Sequence, residues 1–316
     1  MPSPPSSARR IAWTLLLSAS HACHYGRRST EATSASATLR GWHYEVAIDG
    51  TLERMDVRVC FEGGPPAALV PGAAEAAALA RDVRRADGKP LLRLDHGYAL
   101  RSLAADACLD YAVDLAALEA DEDTEHLVDR AGRSLLLHAG AWLWRPDARP
   151  AGATATLRFS LPEGMHASVP WPVHHATERG GTTYRLDSTA FDWLAFVVLG
   201  DIAIDRFEHA GTKVELVTLD ARLMCPPAGL RAWAEDGLDT VALLYEGHFP
   251  REHLQLVVHP VGGADESPVT DHAGPVYFGV AARGGGAGVQ IFLDDRASAE
   301  ALLGNWTTVH ELLHHG

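Results

Sequence analysis

The feature that most constrains this chain is a His-Glu-x-x-His sequence at residues 310–314. His310 and His314 lie four residues apart, so on a helix both imidazoles project from the same face, one turn apart. That spacing lets two ring nitrogens reach one zinc ion at about 2.0–2.1 Å. Glu311 lies beside them, where its carboxylate can hold and deprotonate a water molecule. We therefore predict a helix with His310 and His314 as Zn²⁺ ligands and Glu311 as the catalytic base.

The residues around this motif are compatible with a buried helix. Val309, Leu312 and Leu313 form an apolar face at helical spacing, and Asn305 is a good N-cap before Trp306. The alternative is a core helix whose histidines only form hydrogen bonds. A catalytic zinc also needs a third protein ligand, which we expect beyond residue 316. The chain as given is therefore expected to bind zinc weakly and to cleave little.

Charge and composition narrow the possible partners. A net charge of -14, with no basic stripe, argues against binding to nucleic acid or to anionic membrane surfaces. Arg9 and Arg10 precede a short apolar run at residues 11–17, and residues 20–22 fit a small-x-small cleavage site. The run is too short to span a membrane. We predict a signal peptide over residues 1–23, a linker over 24–38, and export to the periplasm or outside the cell.

Other interpretations of the N-terminal residues and of the cysteines stay open. A disordered tail rich in Pro and Ser also fits the first residues. Cys23 follows the cleavage point, but Ser20 stands where lipid-attachment signals usually carry Leu, so a lipid anchor is not expected. Cys60 and Cys108 can form a disulfide if the protein is exported, or they can be buried free thiols.

The pattern over residues 39–200 is mainly that of short β-strands. Residues 42–48 and 55–61 alternate apolar and polar side chains around a turn at Asp49-Gly50, which predicts a hairpin. An Ala-rich helix is predicted over residues 72–85. Gly and Pro separate the further strands predicted at 109–115, 134–138, 153–159, 182–186 and 193–199. Many short strands at regular spacing predict an N-terminal β-sandwich over residues 39–200.

The pattern over residues 201–316 changes to α+β. A long amphipathic helix is predicted at 227–245 and a short one at 296–303. The predicted strands are 213–219, 253–259, 275–282 and 289–293, with a glycine run at residues 284–288 before the last of them.

The chain resembles gluzincin metallopeptidases, and within them the glycyl aminopeptidase family, whose members often carry a PDZ domain further on. Four stretches carry the resemblance: residues 161–165, similar to a Leu-Pro-x-Gly-Trp stretch, residues 193–201, the glycines at 284–286 and the motif at 306–314. The resemblance implies that residues 201–316 are the first, incomplete half of a thermolysin-like catalytic domain.

The resemblance also implies residue roles. His310 and His314 would be zinc ligands and Glu311 the general base, while the strand containing Gly285, Gly286, Ala287 and Gly288 would be the edge strand that pairs with substrate. Glycines would allow close approach of a peptide there, although a flexible hairpin loop is an equal alternative. The family's amine-binding Glu is absent from this strand, so both aminopeptidase and endopeptidase specificity stay open.

The sequence therefore predicts zinc-dependent hydrolysis of a peptide or protein substrate. The alternative is a non-catalytic module with a degenerate peptidase domain that binds peptides by strand addition.

Overall fold

The computed structural model describes residues 38–176, 181–186, 195–219, 223–262, 274–282 and 285–316. The predicted signal peptide lies outside these residues, and so does the predicted linker apart from Thr38. The described chain is mainly β-structure in several sheets, as the sequence predicts. None of its described helices is long and apolar enough to cross a membrane.

The first half of the described chain contains fourteen strands and two short helices. The strands are β1 (Leu39–Ile48), β2 (Arg54–Gly63), β3 (Ala68–Val70), β4 (Ala80–Arg85), β5 (Leu92–Leu94), β6 (Gly97–Ala99), β7 (Cys108–Asp114), β8 (Val128–Ala131), β9 (Ser134–His138), β10 (Arg145–Pro146), β11 (Thr154–Ser160), β12 (His166–Ser168), β13 (Val173–Ala176) and β14 (Thr182–Leu186). The helices are α1 (Leu115–Ala120) and α2 (Ala139–Trp142).

The second half contains six strands and three helices. The strands are β15 (Phe196–Gly200), β16 (Ala203–His209), β17 (Thr212–Thr218), β18 (His253–Val261), β19 (Val276–Ala282) and β20 (Gly288–Asp294). The helices are α3 (Pro227–Ala242), α4 (Ala299–Leu302) and α5 (Trp306–Leu313).

The strands form four sheets. A seven-stranded sheet has the order β13-β14-β11-β1-β2-β7-β4, and two four-stranded sheets have the orders β10-β3-β6-β5 and β12-β15-β9-β8. The five-stranded sheet has the order β16-β17-β18-β20-β19. The antiparallel β1–β2 pair confirms the predicted hairpin, whereas β1 pairs in parallel with the distant strand β11.

Apolar side chains divide into three buried clusters. The largest joins the seven-stranded sheet to inward residues of both four-stranded sheets, including Leu137 and Leu199. A second lies between the five-stranded sheet and the helices α3, α4 and α5. A small third cluster packs Leu136 and Val198 against Val217 and Val257. The β12-β15-β9-β8 sheet therefore joins the other two layers, because its strands bury side chains on both faces.

The helix predicted at residues 72–85 is wrong. A short 3₁₀ turn at Glu75–Ala78 is followed by strand β4, which pairs with β7. The register shifts between Arg81 and Arg84, and Asp82 adopts a left-handed backbone conformation (φ 55°) inside this bulge. Pairing with β7 thus sets the conformation of residues 80–85, and the alanines before them form no more than the 3₁₀ turn.

Two helices are shorter than their sequence patterns predict. Helix α3 ends at Ala242 instead of residue 245, and Leu243 and Leu244 beyond it are exposed. Helix α4 begins after Ser298, whose hydroxyl accepts a hydrogen bond from the Ala301 backbone N–H. The cap fixes where this helix starts, because it satisfies one of the free N–H groups of the first turn.

Cys60 and Cys108 form a disulfide across two neighbouring strands. They stand directly opposite each other in the antiparallel β2–β7 pair, with their Cα atoms 4.0 Å apart. Strand pairing therefore brings the two thiols together. Of the two open interpretations of these cysteines, the structure has the disulfide.

His138 caps helix α2 with a neutral imidazole. Its Nδ1 accepts a hydrogen bond from the Gly140 backbone N–H at 3.1 Å. Its Nε2 is buried and has no hydrogen-bond partner within the described ranges. Burial, with a smaller contribution from His126, lowers the pKa of His138 to about 4.

We expect His138 to make the protein less stable in mild acid. In the unfolded chain its pKa returns to about 6.5, so the unfolded state binds more protons between about pH 4 and 6.5. Through this residue, the free energy of unfolding is highest above pH 6.5 and falls by up to about 3 kcal/mol as the pH approaches 4. The size of the loss follows because one pKa unit corresponds to about 1.4 kcal/mol. His138→Asn keeps a capping acceptor but does not titrate, so denaturant unfolding should show a smaller loss of stability between pH 7 and 4.

The matched control is His166→Asn, because His166 is exposed. This variant should keep the wild-type pH dependence, which also includes His259 and His315, whose pKa values burial lowers to about 4. Equal pH slopes for His138→Asn and wild type would contradict the assignment.

Candidate metal centre

The motif begins on α5, as the sequence predicts, and its last residue, His314, is the C-cap of this helix. The Asn305 side chain accepts a hydrogen bond from the Thr308 backbone N–H at 3.2 Å and thereby caps the helix start. Val309 and Leu312 are buried in the core under the five-stranded sheet. Because this apolar face points inward, the face carrying His310 points outward.

The motif side chains converge on one another. One ligand atom from each of His310, Glu311 and His314 can be chosen so that all three lie within 4.8 Å of one another. The His310 and His314 rings lie edge to face with centroids 4.8 Å apart. His310 is exposed and His314 half-buried, so the pair opens to solvent. Imidazole nitrogens and carboxylate oxygens are common zinc ligands, so this set of donors fits the metal.

Glu311 is held at the edge of the five-stranded sheet. Its side chain is 9% exposed and lies over Gly279 of strand β19. A Cβ atom at residue 279 would lie 2.5 Å from Cγ of Glu311 and 3.2 Å from its Cδ. Only glycine therefore leaves room for the Glu311 side chain in this position, and Gly279 was not among the site residues predicted from the sequence. The available signal was a glycine inside a strand pattern, which often marks a close approach.

A second glycine sets the position of the motif helix against α3. A Cβ atom at Gly237 would lie 3.1 Å from Leu312 and 3.4 Å from Thr308. The absence of a side chain at this position lets the two helices approach closely. The Gly304 backbone N–H also donates to Asp236 of α3 at 2.9 Å, which fixes the turn before α5.

The glycine-rich strand is not an edge strand, so this part of the interpretation is wrong. Strand β20, which starts at Gly288, pairs with β18 on one side and β19 on the other. Among the strands that the structure describes, β19 is the last in the order of this sheet and therefore lies at its edge. The sequence shows which segments are strands, but the order of strands depends on pairings between distant segments.

The backbone of the glycine-rich segment already forms internal hydrogen bonds. The Gly285 carbonyl accepts from Trp171 Nε1 at 2.5 Å, and the Ala287 N–H donates to the Pro170 carbonyl at 3.0 Å. The Ala287 carbonyl accepts from the Gln255 N–H at 2.8 Å. Substrate contact by Gly285, Gly286, Ala287 and Gly288 stays a prediction, which these bonds do not favour.

His315 is a further buried residue of the site that the sequence analysis did not assign. It follows His314 directly and is only 2% exposed. Its Nε2 lies 3.3 Å from the Gly288 carbonyl, which accepts the hydrogen bond. The C-terminal end of the motif helix is thereby attached to the start of β20.

The chain is similar in fold to solved structures of other proteins. No protein-family model and no curated protein matches the chain. Among solved structures, it is similar to an aminopeptidase N family protein from Idiomarina loihiensis, with a TM-score of 0.61 and 14% identity over 87% of this chain. It is also similar to an M1 zinc metallopeptidase from Deinococcus radiodurans, with a TM-score of 0.48 and 13% identity, over 89% of this chain and 64% of that one.

The first of these likenesses shows that the described chain has an aminopeptidase N-like fold. The matched region makes up 47% of the Idiomarina protein, so this chain spans about half of its length. An identity of 14% shows the fold and not the activity.

Proposed function

We propose that this chain is part of a zinc-dependent peptidase in which His310 and His314 bind the metal and Glu311 is the general base. The observation that carries the proposal is the convergence of these three side chains, whose ligand atoms lie within 4.8 Å of one another. The fold similar to that of an aminopeptidase N family protein supports it.

The chemistry of the proposed site divides between the metal and the protein. Bound zinc supplies Lewis-acid polarisation and lowers the pKa of a coordinated water molecule. The Glu311 carboxylate, held over Gly279, would accept the proton of the attacking water. Helix α5 supplies the orientation, because its cap and its buried apolar face fix the rotation of the imidazoles.

We propose that an extended peptide substrate binds along β19 and not along β20. Strand β19 is the edge of the five-stranded sheet, and Glu311 lies directly over its Gly279. A peptide added to this edge as a further strand would place a carbonyl carbon beside the catalytic carboxylate. A thermolysin-like arrangement of the catalytic half belongs to the same proposal, which leaves both aminopeptidase and endopeptidase cleavage open.

Metal binding is the direct test. Titration of Zn²⁺ into the metal-free protein, followed by calorimetry, should give about one site per chain. His314→Ala removes one of the two imidazole ligands, so its affinity should fall by about 100-fold or more. The control His96→Ala changes an exposed histidine outside the motif and should bind as wild type does. Equal affinity for His314→Ala and wild type would rule out this site.

We also propose that the protein is exported. The Cys60–Cys108 disulfide supports this, because disulfides persist mainly in oxidising compartments. The signal peptide itself remains a prediction from residues outside the described ranges.

The second candidate is a peptide-binding module without catalysis. The edge strand β19 favours it, since strand addition needs only unpaired backbone groups and adjacent apolar surface such as Phe278, which is 46% exposed. Peptide binding without Zn²⁺ binding would favour this candidate over the peptidase.

A further inference from the structure

A short buried segment connects the β12-β15-β9-β8 sheet to the five-stranded sheet. We call residues 168–171 the anchor segment; it continues from the end of β12, and all four residues are buried. The Ser168 hydroxyl donates to Glu215 at 2.6 Å and accepts from Gln255 at 3.2 Å. His253 Nε2 donates to the Val169 carbonyl at 2.9 Å. Three side chains of β17 and β18 therefore hold the first half of the segment in place.

The second half of the anchor segment fixes the glycine-rich segment. Trp171 is 1% exposed, and its indole N–H donates to the Gly285 carbonyl at 2.5 Å. The Pro170 carbonyl accepts from the Ala287 N–H at 3.0 Å. Between them, Gly286 has a φ of 124°, and a Cβ atom there would lie 2.5 Å from the Pro170 carbonyl oxygen. Glycine is therefore required at residue 286 by this contact as well as by the backbone conformation.

The glycine-rich segment in turn fixes the end of the motif helix. Gly288 is the first residue of β20, and its carbonyl accepts from the buried His315 at 3.3 Å. His315 follows His314, which is the C-cap residue of α5. A continuous series of contacts thus runs from Trp171 through residues 285–288 to the residue next to a proposed zinc ligand.

We propose that Trp171 is a positioning residue for the zinc site, acting through Gly285, Gly288 and His315. This inference rests on the proposed function, and it assigns the glycine-rich segment a supporting role instead of a substrate-binding one. The anchor segment then supports the zinc site, because it holds the last turn of α5 in place through the glycine-rich segment. Removing a residue that hydrogen-bonds a metal ligand directly typically changes metal affinity by about 10–100-fold, so we expect the lower end of this range for the more remote Trp171.

The test removes a single N–H group. Trp171→Phe keeps an aromatic ring but cannot donate to Gly285. In metal-free protein, amide hydrogen exchange of Leu312 and Leu313 should become about tenfold faster or more, because the end of α5 opens more often. Exchange in β1 should stay at the wild-type rate. Zn²⁺ affinity, measured by competition with a chelator, should fall about tenfold.

Trp142→Phe is the matched control. Trp142 is also fully buried, but its indole N–H has no partner within the described part of the chain. This variant should leave exchange in α5 and zinc affinity unchanged. His315→Ala should reproduce the effect of Trp171→Phe, and the double variant should add little, because both changes break the same series of contacts.

The outcomes separate the two proposals. Wild-type exchange in α5 of Trp171→Phe would overturn the positioning role, even if the protein binds zinc normally. A wild-type chain that binds no Zn²⁺ would overturn the proposed function, and the exchange measurement on metal-free protein would still decide the role of Trp171.

Discussion

Glu311→Gln in the full-length protein should reduce peptide hydrolysis by about 10³-fold or more while leaving zinc content unchanged. The amide has nearly the same size as the carboxylate but cannot accept the proton of the attacking water, and general-base catalysis contributes about 10²–10⁴-fold. His310 and His314 are untouched, so the metal should stay bound. The measurements are the initial rate of hydrolysis of a peptide library and zinc content by mass spectrometry.

The control for this experiment is Glu300→Gln. Glu300 is an exposed residue of the neighbouring helix α4, so the substitution removes the same charge outside the site. It should keep wild-type activity. Hydrolysis by Glu311→Gln at the wild-type rate would exclude Glu311 as the base.

Gly279→Ala should lower hydrolysis by about 10-fold or more without removing the zinc. The new methyl carbon would lie 2.5 Å from Cγ of Glu311 and 3.1 Å from Ile291, so the acidic side chain must leave its position over β19. A displacement of about 1 Å at a catalytic group can cost about 10²-fold in rate. The added methyl group also narrows the approach to the edge strand, so KM for peptides should rise together with the loss of kcat.

Gly50→Ala provides the comparison, because a Cβ atom at Gly50 meets no heavy atom within 4 Å. The unfolding temperatures of both variants show whether lost activity reflects an unfolded protein or a displaced Glu311 side chain in a folded one. If Gly279→Ala unfolds at the wild-type temperature and cleaves peptides at the wild-type rate, the packing of Glu311 on Gly279 does not matter for catalysis.

Local patterns in the sequence predicted several elements well, including the motif helix. The strands at 134–138 and 182–186 have the predicted bounds, and α5 starts after its predicted cap, Asn305. These features depend on alternation, helical spacing and capping chemistry, all of which act between residues close in sequence. The motif spacing likewise placed His310, Glu311 and His314 together, because one helical turn separates the histidines.

Features that depend on distant contacts could not be predicted in this way. The last part of the predicted helix, Ala80–Arg85, forms strand β4 because it pairs with the distant strand β7. The role of Gly279 follows from the position of Glu311, and the role of Trp171 follows from Gly285, more than a hundred residues further on. The edge position of β19 depends on the order of strands in the sheet. The sequence pattern does not reveal this order, because edge and inner strands with one buried face show the same alternation of apolar and polar residues.

The parallel pairing of β1 with β11 has a consequence for biosynthesis. Strand β1 leaves the ribosome long before β11 has been translated. Until then, one edge of the β1–β2 hairpin exposes backbone N–H and C=O groups without strand partners. Such an edge can pair with other chains and aggregate, or bind chaperones. The nascent polypeptide therefore cannot complete its largest sheet until β11 and β14 have emerged. Because β1 and β11 are far apart in sequence, we also expect refolding of the complete chain from denaturant to be slow.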